Sequence, residues 1–418
     1  MNSGQEKPGV VTDHCALTTV HCNETHKPAR LNALTSIRFF AAINIVFFHF
    51  ADPQSFNFRY DLRLTKLSAY PFHLRLDLAP VVNAGYIALG LFFLLSGFVL
   101  SYNYYGSARD GTLDRVRFWK ARFTRLYPIY LLSLLLSWRM VSAEYGAHAQ
   151  PVYWNYTALT PQHGMFWVGM ALTPLLLQGW VPSLATFLNT PAWAMPAEAF
   201  MYTLFPWLAK VKRPARVSHN LLLLAGVWAV GLLPGTLYLI FQPDGIAHPD
   251  RYSWGRWLWA LKYTPLPHLA SFFFGILLAG LDALVPRSSR LRQLLGLAGF
   301  AGVFGLLYMG PLVPYVLLHD ALLMPLFGCI VLGLAGENWL ASAFSVRPLV
   351  FLGEASYCLY LLHFNLWNWI HETHLPERLG VSRFDPWISF AALLAVAVVA
   401  MLLVEKPAQR QLRKWMGA

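Results

Sequence analysis

The stretch IRFFAAINIVFFHF, residues Ile37 to Phe50, carries an arginine and a histidine inside an otherwise apolar run. Arg38 and His49 are eleven residues apart, which in an α-helix is three turns plus roughly 20°, so both side chains leave the same helix face. The rise between them is about 16 Å, or roughly half the hydrocarbon core of a bilayer. Ionisable groups at membrane depth are costly unless they are paired or face a cavity. The stretch therefore predicts a membrane helix that carries a functional site.

The composition agrees with a chain that crosses the membrane many times. Of 418 residues, 56% are hydrophobic and 12% are charged, whereas a soluble domain carries about 25% charged residues. The net charge of +12 does not require nucleic acid, because cytoplasmic loops of membrane proteins collect Lys and Arg. We expect the lipid bilayer as partner and no nucleic acid. The four cysteines are scattered and lack metal-ligand spacing, so no metal is expected.

Eleven hydrophobic segments follow one another, near residues 34–51, 84–105, 126–142, 164–180, 193–209, 220–241, 257–281, 294–310, 315–335, 349–370 and 386–404. If every basic cluster is cytoplasmic, counting 164–180 as a span would place Lys210 to Arg216 outside, so this segment is predicted to be re-entrant or interfacial. The fold prediction is an all-α polytopic membrane protein with about ten transmembrane helices plus that segment. Both termini are then cytoplasmic. The predicted divisions are a flexible tail (1–30), a transmembrane domain (31–405) and a short basic tail (406–418).

His49 and Glu198 are the candidates for proton transfer. A neutral imidazole accepts a proton from a hydroxyl at neutral pH, so His49 is the candidate base. Glu198 follows Pro191 and Pro196 near the outer start of its predicted helix. That position suggests a depth similar to that of His49, where a carboxylate could orient the imidazole. Two structural alternatives stay open: a histidine hydrogen-bonded to a neighbouring helix, and an acid favoured by the helix dipole.

Arg122 and Arg125 belong to a basic run, RVRFWKARFTRLYPIY, directly before a predicted span. Such runs often serve only as topological anchors. The two arginines are spaced i, i+3 and share a helix face, where two guanidinium groups could grip phosphates. The cytoplasm offers a ligand with clustered phosphates and a long thin arm, coenzyme A. Arg38 lies near the cytoplasmic entrance in this topology, and the roughly 16 Å from Arg38 to His49 is comparable with an extended pantetheine arm.

Two further segments supply supporting residues. The run GYIALGLFFLLSGFVL contains Gly90, Ser96 and Gly97, small residues that allow close helix packing or the approach of a substrate arm, and packing is the favoured interpretation. In LGEASYCLYLLHF, Tyr360 and His363 face the same way at i, i+3. His363 is a second candidate proton carrier.

The chain resembles the membrane acyltransferase family 3 over about residues 30 to 410, because six motifs occur in the order found in that family. They are Arg38 and His49 with ten residues between them, LFFLLSGF from Leu91 to Phe98, Arg122-x-x-Arg125 before Tyr127-Pro128, Trp193 with Glu198 five residues on, SYCLYLLH from Ser356 to His363, and VEKP from Val404 to Pro407. Members of this family move acyl groups, usually acetyl, from cytoplasmic acyl-CoA to acceptors such as O-antigen, exopolysaccharide, peptidoglycan or macrolides. The resemblance implies that Arg38 and His49 are essential, with His49 as catalytic base. Where the family commonly reads Trp-Ser-Leu, this chain has Trp193-Ala194-Met195.

The sequence thus predicts an acyl-CoA-dependent O-acyltransferase of the bacterial cytoplasmic membrane, which acylates a hydroxyl of an extracytoplasmic glycan or related acceptor. The predicted residues are His49, Glu198 and Arg38 for catalysis, Arg38, Arg122 and Arg125 for donor binding, and Ser96, Trp193, Tyr360 and His363 for support. Two alternatives stay open. A proton-coupled transporter would use the same intramembrane Arg, His and Glu, and a non-catalytic flippase or glycan-binding subunit would use them to hold glycan.

Overall fold

The computed structural model describes residues 31–50, 66–69, 74–77, 79–146, 153–154, 157–158, 164–309, 312–319 and 321–417. The chain divides into two units, residues 1–30 and 31–418. Every element below belongs to the second unit, and the predicted N-terminal tail lies outside the described residues.

Helices dominate the described part of the chain. They are α1 (Asn32–Phe50), α2 (Ala79–Val82), α3 (Ala88–Arg109), α4 (Arg115–Gly146), α5 (Gly164–Leu172), α6 (Ala194–Leu208), α7 (Val217–Phe241), α8 (Arg256–Tyr263), α9 (Pro265–Leu284), α10 (Arg290–Tyr308), α11 (Tyr315–His319), α12 (Met324–Leu334), α13 (Trp339–Phe344), α14 (Arg347–Glu372), α15 (Leu375–Arg378), α16 (Trp387–Ala400) and α17 (Lys406–Met416). Two small antiparallel hairpins accompany them, β1 (Lys66–Ala69) with β2 (Leu74–Asp77), and β3 (Tyr153–Trp154) with β4 (Thr157–Ala158).

Eight helical stretches within the described residues are long and apolar enough to cross a bilayer. They are Asn32–Phe50, Gly85–Arg109, Val217–Phe241, Arg256–Leu284, Arg290–Tyr308, Tyr315–Leu334, Arg347–Glu372 and Trp387–Met416. The prediction of an all-α polytopic membrane protein is confirmed. The other two predicted spans, 126–142 and 193–209, fall in α4 and α6, which are helical but are not among these eight. α6 has only 15 residues, about 22 Å of helix against a hydrocarbon core of about 30 Å.

The segment between α5 and α6 consists of short turns. After α5, three 3₁₀ turns at Gln178–Trp180, Pro182–Leu184 and Thr190–Trp193 lead to α6. Leu184 and Ala185 are fully buried. Irregular backbone at membrane depth is tolerated where protein surrounds it. Within residues 164–180 the helix α5 has only 9 residues, about 13 Å against a hydrocarbon core of about 30 Å, so this segment is too short to cross the membrane as a helix.

Glycines let two helix pairs approach closely. A Cβ atom at Gly97 of α3 would lie 2.0 Å from the carbonyl oxygen of Phe272 in α9, and one at Gly275 would lie 2.0 Å from the carbonyl oxygen of Leu94. The packing interpretation of Gly97 therefore holds. A Cβ atom at Gly353 of α14 would lie 2.1 Å from the carbonyl oxygen of α1 at Thr35. This contact sets α14 against the helix that carries Arg38 and His49.

The chain from residue 387 to 416 contains a π-helical turn, Met401–Glu405, between α16 and α17. Glu405 is 1% exposed. π-helical turns are rare and often occur at functional sites. The turn therefore marks the buried carboxylate of Glu405, in the apolar stretch Trp387–Met416, as a candidate functional group.

Candidate functional site

A cavity of about 80 Å³ lies between α1, α3, α4, α6 and α14. Its lining residues are Arg38, Leu89, Phe92, Phe93, Arg125, Leu126, Ala194, Met195, Glu198, Tyr202, Ser356, Tyr357 and Tyr360. Four residues predicted from the sequence, Arg38, Arg125, Glu198 and Tyr360, therefore meet in one place although they come from four helices. We call this space the arginine cavity.

Glu198 anchors a short chain of hydrogen bonds on the wall of the arginine cavity. The hydroxyl of Tyr202, one turn further along α6, donates to Glu198 Oε1. Ser96 Oγ in turn donates to the Tyr202 hydroxyl over 3.4 Å. Ser96 thus contacts the wall of the arginine cavity through Tyr202, and its supporting role stays a prediction. Tyr202 was not predicted from the sequence, although its i+4 spacing from Glu198 places both on one helix face.

The structure groups Glu198 with Arg38 rather than with His49. The arginine cavity is lined by Glu198 and Arg38, and His49 lies about 16 Å further along α1. Glu198 belongs to α6, which is only 15 residues long and follows the buried turns after α5. The orientation of His49 by Glu198 stays a prediction, which this placement does not favour.

Arg125 is held by a buried carboxylate. Its Nη1 atom forms an ion pair of 2.5 Å with Glu405 Oε1, and the Glu405 side chain is 1% exposed. The thiol of Cys358 donates to Glu405 Oε2 over 3.0 Å. The Arg125 guanidinium also lies 5.7 Å from the ring centroid of Tyr357. Glu405 was not predicted as a site residue. The available signal was its place in the VEKP motif, directly after the last predicted span.

Arg122 has different surroundings from Arg125. Its guanidinium lies 5.8 Å from the ring centroid of Tyr104 and 5.7 Å from that of Phe118. Arg122 Nη2 donates to the Tyr104 hydroxyl over 3.5 Å. Of the two arginines only Arg125 lines the arginine cavity. The sequence predicts that both arginines bind the same phosphate. The cavity lining includes only Arg125 of the two, so this shared binding stays a prediction.

His49 lies beside a second histidine. The ring centroids of His49 and His363 are 5.2 Å apart, and the Phe364 ring is 5.6 Å from His49. His363 is fully buried, and its Nδ1 atom lies 2.6 Å from the carbonyl oxygen of Tyr360. The Tyr360 ring is 6.2 Å from the His363 ring. Because Tyr360 also lines the arginine cavity, α14 connects that cavity with the histidine pair.

Trp193 forms part of the wall behind the arginine cavity. It is 5% exposed, and its ring centroid lies 6.4 Å from that of Phe93, which lines the cavity. The rings of Tyr263 and His268 pack on it at 5.3 and 5.1 Å. Trp193 was predicted to support the site, and in the structure it packs against three other aromatic rings.

The arrangement combines an anion-binding region with a proton acceptor. Two guanidinium groups and one carboxylate line the arginine cavity, and a second carboxylate, that of Glu405, pairs with Arg125. Guanidinium groups are suited to bidentate hydrogen bonds with phosphate or carboxylate. His49 lies at the other end of the same face of α1. Within the described residues no group of three or more His, Cys, Asp or Glu could hold a metal ion.

Fold and site define a multi-pass membrane protein with an arginine-lined cavity and a pair of neighbouring histidines. Residues 31–406 match the family described as an acyltransferase domain, and the chain belongs to this family of membrane acyltransferases. No solved structure matches the chain.

Three relatives show sequence similarity to this chain. The chain is 28% identical over 406 residues to "Acyltransferase MdmB" of Streptomyces mycarofaciens, covering 92% of each protein. It is 22% identical over 369 residues to "Peptidoglycan O-acetyltransferase OatA" of Listeria monocytogenes, covering 83% of this chain and 54% of that protein. A stretch of 53 residues is 51% identical to "Protein 2 in picA locus" of Rhizobium radiobacter, covering 13% of this chain and 28% of that protein. Two of these three relatives are thus described as acyltransferases.

Proposed function

We propose that this protein transfers an acyl group, acetyl in the first instance, from cytoplasmic acyl-CoA to a hydroxyl of an extracytoplasmic glycan or related acceptor. The observation that carries the proposal is the placement of Arg38 and His49. One residue lines the arginine cavity, the other contacts His363, and a single helix face carries both. The relative described as a peptidoglycan O-acetyltransferase supports acetyl as the group and a hydroxyl as the acceptor.

The arginine cavity is the proposed donor site. Coenzyme A carries several phosphates, and guanidinium groups bind phosphate with charge-assisted, bidentate hydrogen bonds. Arg125 is aimed by its ion pair with Glu405, so part of its orientation is fixed before the donor binds. The pantetheine arm would run along α1 from Arg38 toward His49, over the roughly 16 Å between them. The thioester carbonyl would then lie beside the histidine pair.

His49 is the proposed general base. The acceptor hydroxyl gives its proton to His49 while its oxygen attacks the thioester carbonyl. The carbon–sulfur bond breaks, the acyl ester forms, and the proton passes from His49 to the departing coenzyme A thiolate. In the alternative route His49 itself attacks the thioester, and the acyl-histidine then passes the group to the acceptor.

The proposed orientation follows from the basic clusters. Lys and Arg concentrate before α4, between α6 and α7, around the start of α10 and in α17, and the cytoplasmic side collects such residues. Both termini would then be cytoplasmic in the bacterial inner membrane. Donor and acceptor would approach from opposite sides.

Purified protein in nanodiscs, supplied with acetyl-CoA labelled in the acetyl group and with a panel of glycan and macrolide acceptors, tests the proposal. We expect label in an acceptor ester and an equal amount of free coenzyme A thiol. A proton-coupled transporter would form no ester. A flippase or glycan-binding subunit would bind glycan while acetyl-CoA stays intact, and either result would refute the proposal.

A further inference from the structure

A second cavity lies between the start of α8 and the turns that follow α5. Its volume is about 510 Å³, within the roughly 300–1,000 Å³ that is usual for small-molecule sites. The lining includes Trp254, Arg256 and Trp259 on one side and Val181, Pro182 and Ser183 on the other. We call this space the tryptophan cleft.

The loop that leads to Trp254 is held in place by two charged side chains. The ammonium group of Lys262, which is 2% exposed, donates to three carbonyl oxygens between residues 250 and 253 over 3.1 to 3.5 Å. The carboxylate of Asp244 accepts from two backbone N–H groups in the first turn of α8, over 2.8 and 3.1 Å. A wall that is fixed before the ligand arrives loses less conformational entropy on binding.

The two tryptophans give the cleft an aromatic surface. Their ring centroids are 5.0 Å apart, and Trp254 is 39% exposed whereas Trp259 is 9% exposed. Trp259 therefore supports Trp254, whose ring stays partly accessible. The face of an aromatic ring carries partial negative charge and attracts groups with partial positive charge. The C–H groups on one face of a pyranose ring are of this kind, so the cleft suits a sugar ring stacked on Trp254.

Arg256 gives the cleft a positive charge. Its side chain is exposed, and it forms no ion pair with an acidic residue in the part of the chain that the structure describes. A guanidinium group binds a carboxylate with two parallel hydrogen bonds. Charge complementarity therefore favours a ligand that carries a carboxylate beside its apolar ring face.

The tryptophan cleft lies at the end of α1 that carries His49. The guanidinium group of Arg251 lies 5.2 Å from the ring centroid of Phe48, the residue before His49, and Trp254 follows Arg251 by three positions. Among the described residues, none lines both this cleft and the arginine cavity. The two spaces can therefore hold two different substrates.

We propose that the tryptophan cleft binds an acidic sugar residue of the acceptor glycan, with its ring stacked on Trp254 and its carboxylate paired with Arg256. The inference rests on the proposed function, because it places the acceptor of that reaction. In the proposed orientation the loop between α7 and α8 faces the extracytoplasmic side, from which the acceptor approaches. The donor occupies the arginine cavity at the other end of α1.

Binding of two trisaccharides to protein in nanodiscs, measured without acetyl-CoA, tests the inference. The probes are trigalacturonic acid, which carries carboxylates, and uncharged maltotriose. Wild-type protein should bind the acidic probe about tenfold more tightly, the effect of one charge-assisted hydrogen bond at an exposed site. Arg256→Gln should remove this preference and leave maltotriose binding unchanged.

Trp254→Ala should weaken the binding of both probes by roughly 5- to 10-fold, because the stacking surface is lost for either sugar. The matched control is Trp257→Ala. Trp257 lies in the same helix turn as Arg256 and is 60% exposed, but it is not part of the cleft lining. This control should bind both probes as the wild type does.

Three results would overturn the inference. They are equal affinity of wild-type protein for the two probes, unchanged affinity in Trp254→Ala, and equal losses in Trp254→Ala and Trp257→Ala. The last result would assign both tryptophans to the aromatic belt at the membrane surface. If Trp254→Ala does not insert, Arg256→Gln decides alone, because an exposed side chain is replaced without disturbing the packing.

Failure of the proposed function gives a different pattern. The trisaccharides would then bind as expected, but wild-type protein would form no ester from acetyl-CoA. If transfer occurs and the inference holds, Trp254→Ala should raise the KM for a glycan acceptor by the same factor as the Kd, with kcat and acetyl-CoA binding unchanged. Ester formation with an unchanged acceptor KM in this variant would contradict the cleft alone.

Discussion

Replacement of Arg125 by Gln should affect both donor binding and stability, and the two effects can be measured separately. Arg125 pairs with Glu405 on one side and lines the arginine cavity on the other. Toward the protein it pairs with Glu405, which is 1% exposed, while Arg125 itself is 33% exposed. Toward the arginine cavity, its guanidinium group is the proposed ligand for a phosphate of the donor. Each charge-assisted hydrogen bond lost there is worth about 1.5–3 kcal/mol. At 1.4 kcal/mol per factor of ten, the Kd for acetyl-CoA should rise roughly 10- to 150-fold.

The same substitution leaves the Glu405 carboxylate buried without its cation. Breaking a buried ion pair by removing one partner costs about 3–5 kcal/mol, and the exposure of Arg125 favours the lower end. The double variant Arg125→Gln/Glu405→Gln removes both charges and should regain most of the lost Tm. Its Kd for acetyl-CoA should stay as weak as in the single variant.

The assay is acetyl-CoA binding to protein in nanodiscs, measured together with Tm for wild type, Arg125→Gln and the double variant. Arg122→Gln is the matched control from the same helix, because Arg122 packs on Tyr104 and Phe118 instead of lining the cavity. It should change the Kd by less than Arg125→Gln does. Unchanged acetyl-CoA affinity in well-inserted Arg125→Gln would refute the donor site and leave Arg125 as a structural residue.

The remaining predictions concern packing, chemistry and topology. Gly97→Ala should lower Tm and yield strongly, because its Cβ atom would lie 2.0 Å from a carbonyl oxygen of α9. The control Gly106→Ala on the same helix has nothing within 4 Å, and equal Tm values for the two variants would contradict the packing. His49→Ala should insert, bind acetyl-CoA and transfer about 10²–10⁴ times more slowly, and more than about a tenth of the wild-type rate would exclude a general base. A reporter fused after residue 216 should be cytoplasmic and one after residue 245 external, whereas the same side for both would mean that α7 does not cross.

The helical period was enough to predict the parts of the site that lie on one helix. Arg38 and His49 share a face of α1 because eleven residues make close to three turns. In the same way, Tyr360 and His363 follow each other along α14, one lining the arginine cavity and the other contacting His49. Local geometry of this kind depends on the residue spacing alone.

Contacts between different helices could not be predicted from residue spacing. The position of Glu198 beside Arg38 follows from the turns between α5 and α6, and the hydrophobic pattern does not report where such turns direct the following helix. The ion pair between Arg125 and Glu405 joins residues 280 positions apart. A long-range pair of this kind requires the arrangement of α4 against the end of α16, which one sequence does not contain.

The buried turns before α6 depend on a helix that the ribosome makes much later. Asn189 donates to the carbonyl oxygen of Leu361, and Tyr360 donates to that of Pro191, so the partners are separated by 172 and 169 residues. At about 5–20 residues per second, synthesis needs roughly 10–35 s to supply α14. Until then these two polar groups lack the partners that the folded protein gives them, and unpaired polar groups are costly in lipid. The wall that carries Glu198 is therefore complete only once α14 is in place.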